Sequence, residues 1–503
     1  MQYLNPPPGK VFLGSFGFPE DFFGNLNTVK IGQLDHWQHY PKITSVLEGQ
    51  KSLMKIDYII LGQLNRLIPL ETTVFFNLVR FLLSIFFLLL CYRLINLIFK
   101  EKVSRLTALV LAFFSTAFSG QKLLLDLWTP LGVFQRAAYY PHYLIGFCLL
   151  LLIIPILAEC LDKNNWSRLI LASLLGLIAA LVHPPVIICL YLSFPFYLSA
   201  LVWQKKSWPE LKQKTIILVI FTLISSLSLF YFRSLSHAYP WNIIPKWELF
   251  YSLNKNISFI NLILGIGPTA FLALIGAFLA LRSKGEILLL LFPWSFTYLI
   301  GFYWLYQFIS ANSVRFLQTP FFIFLGILTV FPLQKVAQKI KVSPLVLGLL
   351  LLTLGLRTLH KSLLVNLDNF STSFAYINSP IEVKAGLNWL AQNTTEKDIV
   401  LSDQDNGMLI VALAGNMPYL THWTDCLDVF PQLENNIIHF YCQKWSVQQA
   451  KEFLQKEQIS WVFYSDEEKN LCSQQNLDYS FLTPIFKNSR LTIFKTNIEK
   501  NQI

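Results

Sequence analysis

The stretch TVFFNLVRFLLSIFFLLLCYRLINLIF, residues Thr73–Phe99, is long and apolar enough to cross a lipid bilayer as a helix. It is the first of about ten such segments, each near or somewhat below the roughly 20 apolar residues that one span requires. The others are Leu106–Ser119, Tyr143–Leu161, two short segments within Leu169–Trp203, Thr215–Phe232, Ile260–Leu281, Ile287–Tyr306, Pro320–Leu333 and Pro344–Leu363. The series predicts a polytopic α-helical membrane protein.

One of these apolar stretches, Leu169–Trp203, is too long for a single span. The sequence His183-Pro184-Pro185 interrupts it. Proline has no backbone N–H, and it disfavours helical conformation in the residue before it. We therefore expect two short helices that meet at this point.

The composition agrees with lipid as the solvent for much of the chain. The chain has 503 residues, of which 54% are hydrophobic and 14% are charged, and its mean hydropathy is +0.48. Soluble domains carry roughly 25% charged residues. The net charge of +11 could suggest nucleic-acid binding, but the basic residues lie in short gaps between apolar segments. That placement is typical of a topology signal, so we expect no nucleic-acid partner.

Basic residues divide the connecting loops into two alternating sets. One set is rich in them and lies near Lys100, Lys163, Lys205, Arg282 and Lys335. Because cytoplasmic loops are enriched in lysine and arginine, this set is predicted to face the cytoplasm. The alternate loops then lie outside, together with residues 1–72 and everything after residue 363. The predicted location is the plasma (inner) membrane.

Residues 1–72 raise a question of translocation. They contain no apolar stretch that could serve as a signal peptide, and Pro6-Pro7-Pro8 lies near their start. We therefore expect a spanning helix encoded upstream of Met1. The alternative is that Thr73–Phe99 translocates its own N-terminus.

The composition changes again near residue 364, where long apolar runs stop. Helical spacing in Ile381–Gln392 and Trp445–Gln458 alternates with short strand-like runs at Asp398–Ser402, Met417–Thr421, Trp461–Tyr464, Leu482–Phe486 and Leu491–Lys495. This alternation predicts a small α/β domain, in which the last two runs, on either side of Asn488-Ser489, form a hairpin. The expected organisation is an outer first loop (1–72), a transmembrane helical domain (73–363) and an extracytoplasmic α/β domain (364–503). Cys426 and Cys442 could pair there if the compartment is oxidising.

Two adjacent acidic residues, Glu20 and Asp21, lie ahead of the first span in the sequence FPEDFFGN. A carboxylate outside the membrane could act as a general base toward an acceptor hydroxyl. It could instead hold a divalent cation such as Mg²⁺ or Mn²⁺. Phe22-Phe23 could embed this part of the loop in the membrane interface, and Asp35 is a candidate for substrate binding. The alternative is that the acidic pair is a solvated turn.

Four basic or imidazole side chains are candidates for binding an anionic substrate. Arg80 lies within the first span, where an ionisable side chain costs about 2.5–3.5 kcal/mol and so indicates function. Arg315 lies in an outer loop, and either arginine could bind a lipid-linked phosphate through paired N–H donors. His142 and His183, at outer helix ends, could contact a phosphate or a sugar. Capping or interfacial roles are the alternative for both histidines.

Taken together, these features resemble the GT-C superfamily of polyprenyl-phosphate-sugar-dependent integral membrane glycosyltransferases. The resemblance is to bacterial members that carry a C-terminal extracytoplasmic domain. Glu20-Asp21 occupies the position of the acidic motif in the first outer loop, and residues 25–37 resemble the helix that follows it. Ile56–Leu70 resembles the amphipathic surface helix of that loop, and Gly386–Leu390 and Gly415–Asp428 resemble parts of the outer domain.

The resemblance implies an enzyme of the cell envelope that moves a sugar from a polyprenyl-phosphate carrier to a glycan, lipid or protein acceptor. Asp21, with Glu20 as a second candidate, would remove the proton from the acceptor hydroxyl, and Arg80 or Arg315 would stabilise the departing phosphate. A transporter or flippase is one alternative, and it would contain interrupted helices in two repeated halves. A catalytically inactive GT-C-like scaffold is the other.

Overall fold

The computed structural model describes residues 6–15, 19–47, 49–68, 70–118, 136, 139–252, 257–282, 285–361, 364, 377–421, 426–472 and 476–497. The chain divides into two compact units. The first unit contains Met1–Asn77, Leu235–Trp247 and Asp368–Ile503, so it draws on both ends of the chain. The second unit contains Leu78–Ser234 and Glu248–Leu367.

Apolar helices dominate the second unit. Among the described residues, five helices are long and apolar enough to cross a membrane: Thr72–Ile98, Pro141–Lys163, Pro184–Trp203, Trp208–Leu235 and Phe321–Ile340. Two more spans arise if each bent pair counts as one: Phe259–Ile266 with Pro268–Ala280, bent by 93°, and Glu286–Ser295 with Thr297–Phe308, bent by 42°. The predicted polytopic helical membrane fold is therefore confirmed, with five to seven such spans where the sequence suggested about ten.

The remaining predicted segments are helical but shorter than a full span. They are Lys102–Phe114, Trp166–Val182 and Pro344–Thr353. The predicted break at His183 is confirmed, because one helix ends at Val182 and the next begins at Pro184. Proline is tolerated in the first helical turn, where its missing N–H has no partner to lose. The other elements of this region are the helix Ile244–Phe250, the π-helix Gly301–Leu305 and the 3₁₀ helices Phe292–Ser295 and Ser313–Phe316.

A small α/β region forms the C-terminal part of the first unit, as the sequence predicted. Strand β1 (Lys10–Phe12) pairs antiparallel with β2 (Asn378–Pro380). A five-stranded sheet follows, with the spatial order β4-β3-β5-β7-β6. Its strands are β3 (Ile399–Leu401), β4 (Met417–Pro418), β5 (Ile459–Tyr464), β6 (Leu482–Lys487) and β7 (Thr492–Thr496). Strand β3 is parallel to β4 and β5, whereas β5, β7 and β6 form antiparallel pairs, including the predicted hairpin.

Helices complete this α/β region. They are Ile381–Asn393, Gln404–Leu409, the π-helix Ile410–Ala414, Phe430–Tyr441, Val447–Lys456 and Asp466–Asn470. The first of these helices buries Val383, Leu387 and Leu390, as expected from its helical spacing. The helix Phe430–Tyr441 was not predicted from the sequence.

The N-terminal residues of the first unit pack with this domain. They form two helices: the acidic helix, Pro19–Gln33, which carries Glu20 and Asp21 in its first turn, and the crossing helix, Ile56–Leu67. The two helices pack against each other, and the acidic helix also packs against Gln404–Leu409 and the π-helix Ile410–Ala414. Ile43 belongs to the apolar core of the C-terminal domain. The N-terminal segment is therefore part of the same core as the domain.

The cysteine pairing differs from the expectation for Cys426 and Cys442. Cys442 forms a disulfide with Cys472, 30 residues away in sequence, and the Cα atoms are 5.4 Å apart. Cys426 instead lies buried in the apolar core. The expected pairing is therefore wrong, because Cys426 is taken into the core as a small apolar side chain.

Candidate functional site

Glu20 and Asp21 both expose their side chains in the first turn of the acidic helix. Negative charge in the first turn is favourable because it opposes the positive end of the helix dipole. The two residues that follow behave differently, since Phe22 and Phe23 are fully buried. Phe22 packs edge-on against Phe23 and Phe76, with ring centroids 5.2 and 5.1 Å apart. The expectation that these phenylalanines embed the loop in a membrane interface is therefore wrong, because they anchor the acidic helix in the unit's own core.

A carboxylate of the C-terminal domain lies in the same electrostatic environment as Glu20. Asp405 is partly buried, and its pKa is raised to about 6 by burial and then by the charges of Glu467, Glu20 and Glu468. Burial and the neighbouring Glu468 also raise the pKa of Asp403. Glu20 therefore lies close enough to Asp405 for its charge to raise the pKa of that carboxyl. No local pattern in the sequence connects residue 20 with residue 405, so this neighbour could not be predicted.

The third acidic candidate, Asp35, lies just beyond the end of the acidic helix. Its side chain is exposed and forms an ion pair with Arg66 of the crossing helix. Arg66 also donates a hydrogen bond to Gln63 Oε1 at 2.9 Å. Exposed pairs of this kind typically contribute about 0–1 kcal/mol. The ion pair of Asp35 thus links the end of the acidic helix to the crossing helix. A role of Asp35 in substrate binding stays a prediction.

The four predicted phosphate- or sugar-binding residues lie together in the second unit. We call the group formed by Arg80, Tyr139, Tyr140, His142, Tyr143, His183, Glu248, Arg315 and Gln318 the arginine-tyrosine network. Arg80 donates from Nε to the Tyr139 carbonyl at 3.1 Å, and its guanidinium lies 5.7 Å from the centre of the Tyr140 ring. Local sequence could not predict this grouping, because its members come from several separate helices and loops.

Aromatic and imidazole rings form the middle of this network. The Tyr143 ring centroid is 4.1 Å from that of Tyr139, 3.9 Å from His142 and 4.8 Å from His183. His183 is buried, and its Nε2 lies 2.8 Å from the Gln318 carbonyl. Because a carbonyl only accepts, His183 Nε2 carries the proton. The helix break at His183 thus places an imidazole inside the network.

Arg315 occupies the other end of the network. Its Nε donates to both carboxylate oxygens of Glu248, at 3.0 and 3.3 Å, and Nη2 donates to Oε1 at 2.5 Å. Its Nη1 donates to Tyr143 Oη at 3.1 Å and to Gln318 Oε1 at 3.2 Å. Glu248 is buried and also accepts from the backbone N–H of Asn312 at 2.7 Å. Glu248 was not predicted from the sequence, although it fixes the orientation of a predicted residue.

The sequence leaves a divalent cation, Mg²⁺ or Mn²⁺, as a possible ligand of the acidic residues. Within the described ranges, no group of three or more His, Cys, Asp or Glu side chains is arranged to hold a metal ion. Divalent cations of this kind require several oxygen ligands converging on one point. The donors present do not fit such an ion, so we assign no chemical step to a metal.

Comparison with known proteins supports the fold. No protein-family profile matches the chain, and no curated protein is similar to it in sequence. The archaeal oligosaccharyltransferase AglB from Archaeoglobus fulgidus, solved with an inhibitory peptide and a dolichol-phosphate, aligns with a TM-score of 0.52 and 13% identity. That alignment covers 91% of this chain and 66% of AglB, so the chain spans about two thirds of its length.

A second solved structure covers almost the whole of both chains. ArnT from Cupriavidus metallidurans, bound to undecaprenyl phosphate, aligns with a TM-score of 0.52 and 11% identity. The alignment covers 96% of this chain and 94% of ArnT. The chain therefore shares the fold of AglB and ArnT, which is the kind of fold that the resemblance predicted.

Proposed function

We propose that this chain is an integral membrane glycosyltransferase that moves a sugar from a polyprenyl-phosphate carrier to an acceptor hydroxyl. The observation that carries the proposal is the grouping of Arg80, His142, His183 and Arg315 in one network within a chain that shares its fold with two proteins of this superfamily. Both proteins were solved with a polyprenyl or dolichyl phosphate. Guanidinium groups bind phosphate oxygens through paired N–H donors. The arginine-tyrosine network is thus suited to bind the phosphate of the carrier.

In the proposed reaction, the acceptor oxygen forms a bond to the anomeric carbon of the sugar, and the bond from that carbon to the carrier phosphate breaks. Asp21 takes the hydroxyl proton, with Glu20 as the second candidate, and the electron pair of the broken bond leaves with the polyprenyl phosphate. Arg80 and Arg315 stabilise the added negative charge on that phosphate. Because the leaving group is already an anion of low basicity, most of the catalysis comes from positioning and charge stabilisation.

We further propose that the reaction takes place on the extracytoplasmic face of a bacterial plasma membrane. The distribution of basic residues between alternating loops supports this orientation. The Cys442–Cys472 disulfide supports it too, because disulfides persist mainly in oxidising compartments. A phosphatase reporter fused after Ile503 should then be active, whereas one fused at Lys205 should be inactive. The opposite pattern would exclude this orientation.

The direct test of the proposed function is Asp21→Asn in purified, reconstituted protein. This change keeps the shape of the side chain and removes the base, so transfer from a radiolabelled polyprenyl-phosphate sugar should fall by about 10²–10⁴-fold. Glu434→Gln, which removes an exposed carboxylate from the helix Phe430–Tyr441, is the matched control and should retain full activity. Wild-type transfer by a well-folded Asp21→Asn variant would exclude the base and favour a transporter or scaffold.

The acceptor can be identified in cells by comparing a deletion strain with its parent. Loss of one sugar from a glycan, lipid or protein fraction would identify the acceptor class. The deletion strain should also accumulate the sugar-loaded carrier lipid, because the enzyme no longer consumes it. An unchanged carbohydrate profile with an altered distribution of lipid between the two leaflets would instead support a flippase.

A further inference from the structure

A single carboxylate of the C-terminal domain binds three side chains from the segment that follows the acidic helix. Glu396 Oε2 accepts a hydrogen bond from Tyr40 Oη at 2.9 Å and from Lys42 Nζ at 3.2 Å. His36 Nε2 lies 3.0 Å from the same oxygen and 3.1 Å from Oε1. Residues that are about 360 positions apart thus meet at one point within the first unit. We call His36, Tyr40, Lys42 and Glu396 the Glu396 cluster.

Lys42 is the most deeply buried member of the cluster. Its side chain is 1% exposed, and Nζ donates a second hydrogen bond to the Gly415 carbonyl at 2.7 Å. Burial lowers the pKa of Lys42 to about 8, although Glu396 acts in the opposite direction. For Glu396, which is a quarter exposed, burial would raise the pKa, but hydrogen bonds from His36 and Tyr40 and the charge of Lys42 lower it to about 2. A buried ammonium group of this kind depends on its partners, because an unpaired buried charge is strongly unfavourable.

The cluster is connected directly to the acidic helix. Asn27, in the middle of that helix, donates a long hydrogen bond of 3.5 Å to the Lys42 carbonyl. Lys30, one turn farther on, lies so close to Gly415 that a Cβ at that glycine would be 3.0 Å from Lys30 Cε. Gly415 has φ +92° and ends the π-helix Ile410–Ala414, which packs against the acidic helix. The acidic helix thus contacts both Lys42 and Gly415, whose carbonyl accepts a hydrogen bond from Lys42.

We propose that Glu396 and Lys42 are positioning residues that hold the acidic helix, and with it Glu20 and Asp21, in the geometry required for transfer. The C-terminal domain would therefore act as a structural part of the catalytic region, whatever else it binds. This inference rests on the proposed function for its catalytic consequence, although the contacts themselves do not depend on that function. Misplacing a reacting group by about 1 Å can reduce a rate by about 10²-fold.

If the charge of Lys42 matters for transfer, the transfer rate should depend on pH. The titratable groups that face Lys42 are Glu396 from the C-terminal domain, His36 and Tyr40 from its own segment, and Lys30 from the acidic helix. Glu396 stays ionised above pH 6, and burial followed by the Glu396 contact raises the pKa of Tyr40, which keeps its proton. Deprotonation of Lys42 above about pH 8 would then remove the ion pair and lower transfer.

The test measures transfer rate against pH from 6 to 10 in full-length reconstituted protein. Lys42→Met and Glu396→Gln should lower kcat at least tenfold, with the KM for the lipid donor changed less than threefold. Lys42→Arg should restore most of the rate and move the alkaline limb upward, because arginine keeps its charge throughout this range. Lys30→Met should keep the alkaline limb but move it upward, because the charge of Lys30 also lowers the pKa of Lys42. Loss of the limb in this variant would assign the limb to Lys30, whose own pKa is lowered by burial and by Lys384, and would overturn the assignment to Lys42.

Glu71→Gln is the matched control, because Glu71 pairs with Lys384 and also joins the N-terminal segment to the C-terminal domain, but at an exposed position. It should leave both kcat and the pH profile unchanged. Folded Lys42→Met and Glu396→Gln variants with wild-type kcat would overturn the proposal, even if Asp21→Asn is inactive and the proposed function stands. An alkaline limb that stays in place in Lys42→Arg would overturn it equally.

Hydrogen exchange separates failure of this proposal from failure of the proposed function. If the wild-type protein transfers no sugar, amide exchange in residues 19–33 still reports the position of the acidic helix. Exchange there should rise at least tenfold in Lys42→Met relative to Glu71→Gln. Equal exchange in the two variants would show that Lys42 does not hold the helix. If Lys42→Met does not fold, the same comparison is made with Glu396→Gln and Lys42→Arg.

Discussion

Replacing Gly62 by alanine should displace the acidic helix and reduce transfer without touching any candidate catalytic residue. The acidic helix and the crossing helix approach each other through Gly32 and Gly62. A Cβ on Gly62 would be 2.1 Å from the Val29 carbonyl oxygen and 2.7 Å from Gly32 Cα. Both obstacles are backbone atoms, so no side-chain rotation can relieve the clash.

The size of the effect follows from these distances. Carbon atoms in ordinary contact lie about 3.5–4.0 Å apart, so the two helices must separate by about 1 Å. Overpacking of this kind costs about 1–3 kcal/mol, of which the better helix propensity of alanine returns up to about 1 kcal/mol. We therefore expect the free energy of unfolding to fall by about 0–3 kcal/mol, and the transfer rate to fall by about 10²-fold because the acidic pair is displaced.

The assay compares Gly62→Ala with Gly24→Ala, using thermal unfolding and sugar transfer in the same lipid. Gly24 also lies in the acidic helix, but a Cβ there would meet nothing within 4 Å. Gly24→Ala should therefore be neutral or more stable by up to about 1 kcal/mol, with full activity. Gly62→Ala with wild-type stability and wild-type transfer would refute the reasoning, because the helices would then tolerate separation at their closest point.

Three further outcomes follow from the contacts. Cys472→Ser opens the disulfide to Cys442 and should cost about 3–4 kcal/mol for a 30-residue loop, measured by denaturant unfolding; an unchanged midpoint would contradict the pairing. Glu248→Leu should lower the free energy of unfolding by about 2–3 kcal/mol, which is less than the loss of about 3–5 kcal/mol for a fully buried ion pair because Arg315 is a third exposed. The double variant with Arg315→Leu should recover this stability but not sugar transfer. Asp405→Asn should increase the stability of the protein at pH 7.5 but not at pH 4. The pKa of Asp405 is raised from 3.8 to about 6 in the folded state, so the wild-type protein loses stability as the pH rises through this range. Equal effects of the substitution at both pH values would contradict this.

Local patterns in the sequence predict those parts of the fold that depend on local chemistry. The break at His183 follows from the two prolines after it, which restrict the backbone wherever they occur. The hairpin of β6 and β7 follows from two strand-like runs on either side of Asn488-Ser489. The shorter spans were predicted less accurately, since Gly267 bends one apolar segment by 93° with φ +95°, which hydropathy alone does not indicate.

The candidate site could be predicted only in part, because its contacts are distant in sequence. Arg80 and Arg315 could be predicted from the sequence, since a charged side chain in or beside an apolar span is energetically costly and therefore indicates function. Their partner Glu248 does not stand out, because it is an ordinary acidic residue until the fold brings it to Arg315, 67 positions away. Glu396 could not be recognised from the sequence either, because it contacts His36, 360 positions away, only in the folded unit.

Two opposing effects act on the acidic helix: repulsion between its carboxylates and those of the C-terminal domain, and the contacts that hold the helix in place. The pKa of Asp405 is raised first by burial and then by the charges of Glu467, Glu20 and Glu468, so ionised Asp405 reduces the stability of the folded state near neutral pH. Groups with strongly perturbed pKa values are found preferentially at functional sites, although structural ion-pair networks produce them too. The Glu396 cluster and the buried Phe22 hold the acidic helix in place against this repulsion. If repulsion alone decided the arrangement, the acidic helix would move away from Asp405, so the anchoring contacts must outweigh the repulsion.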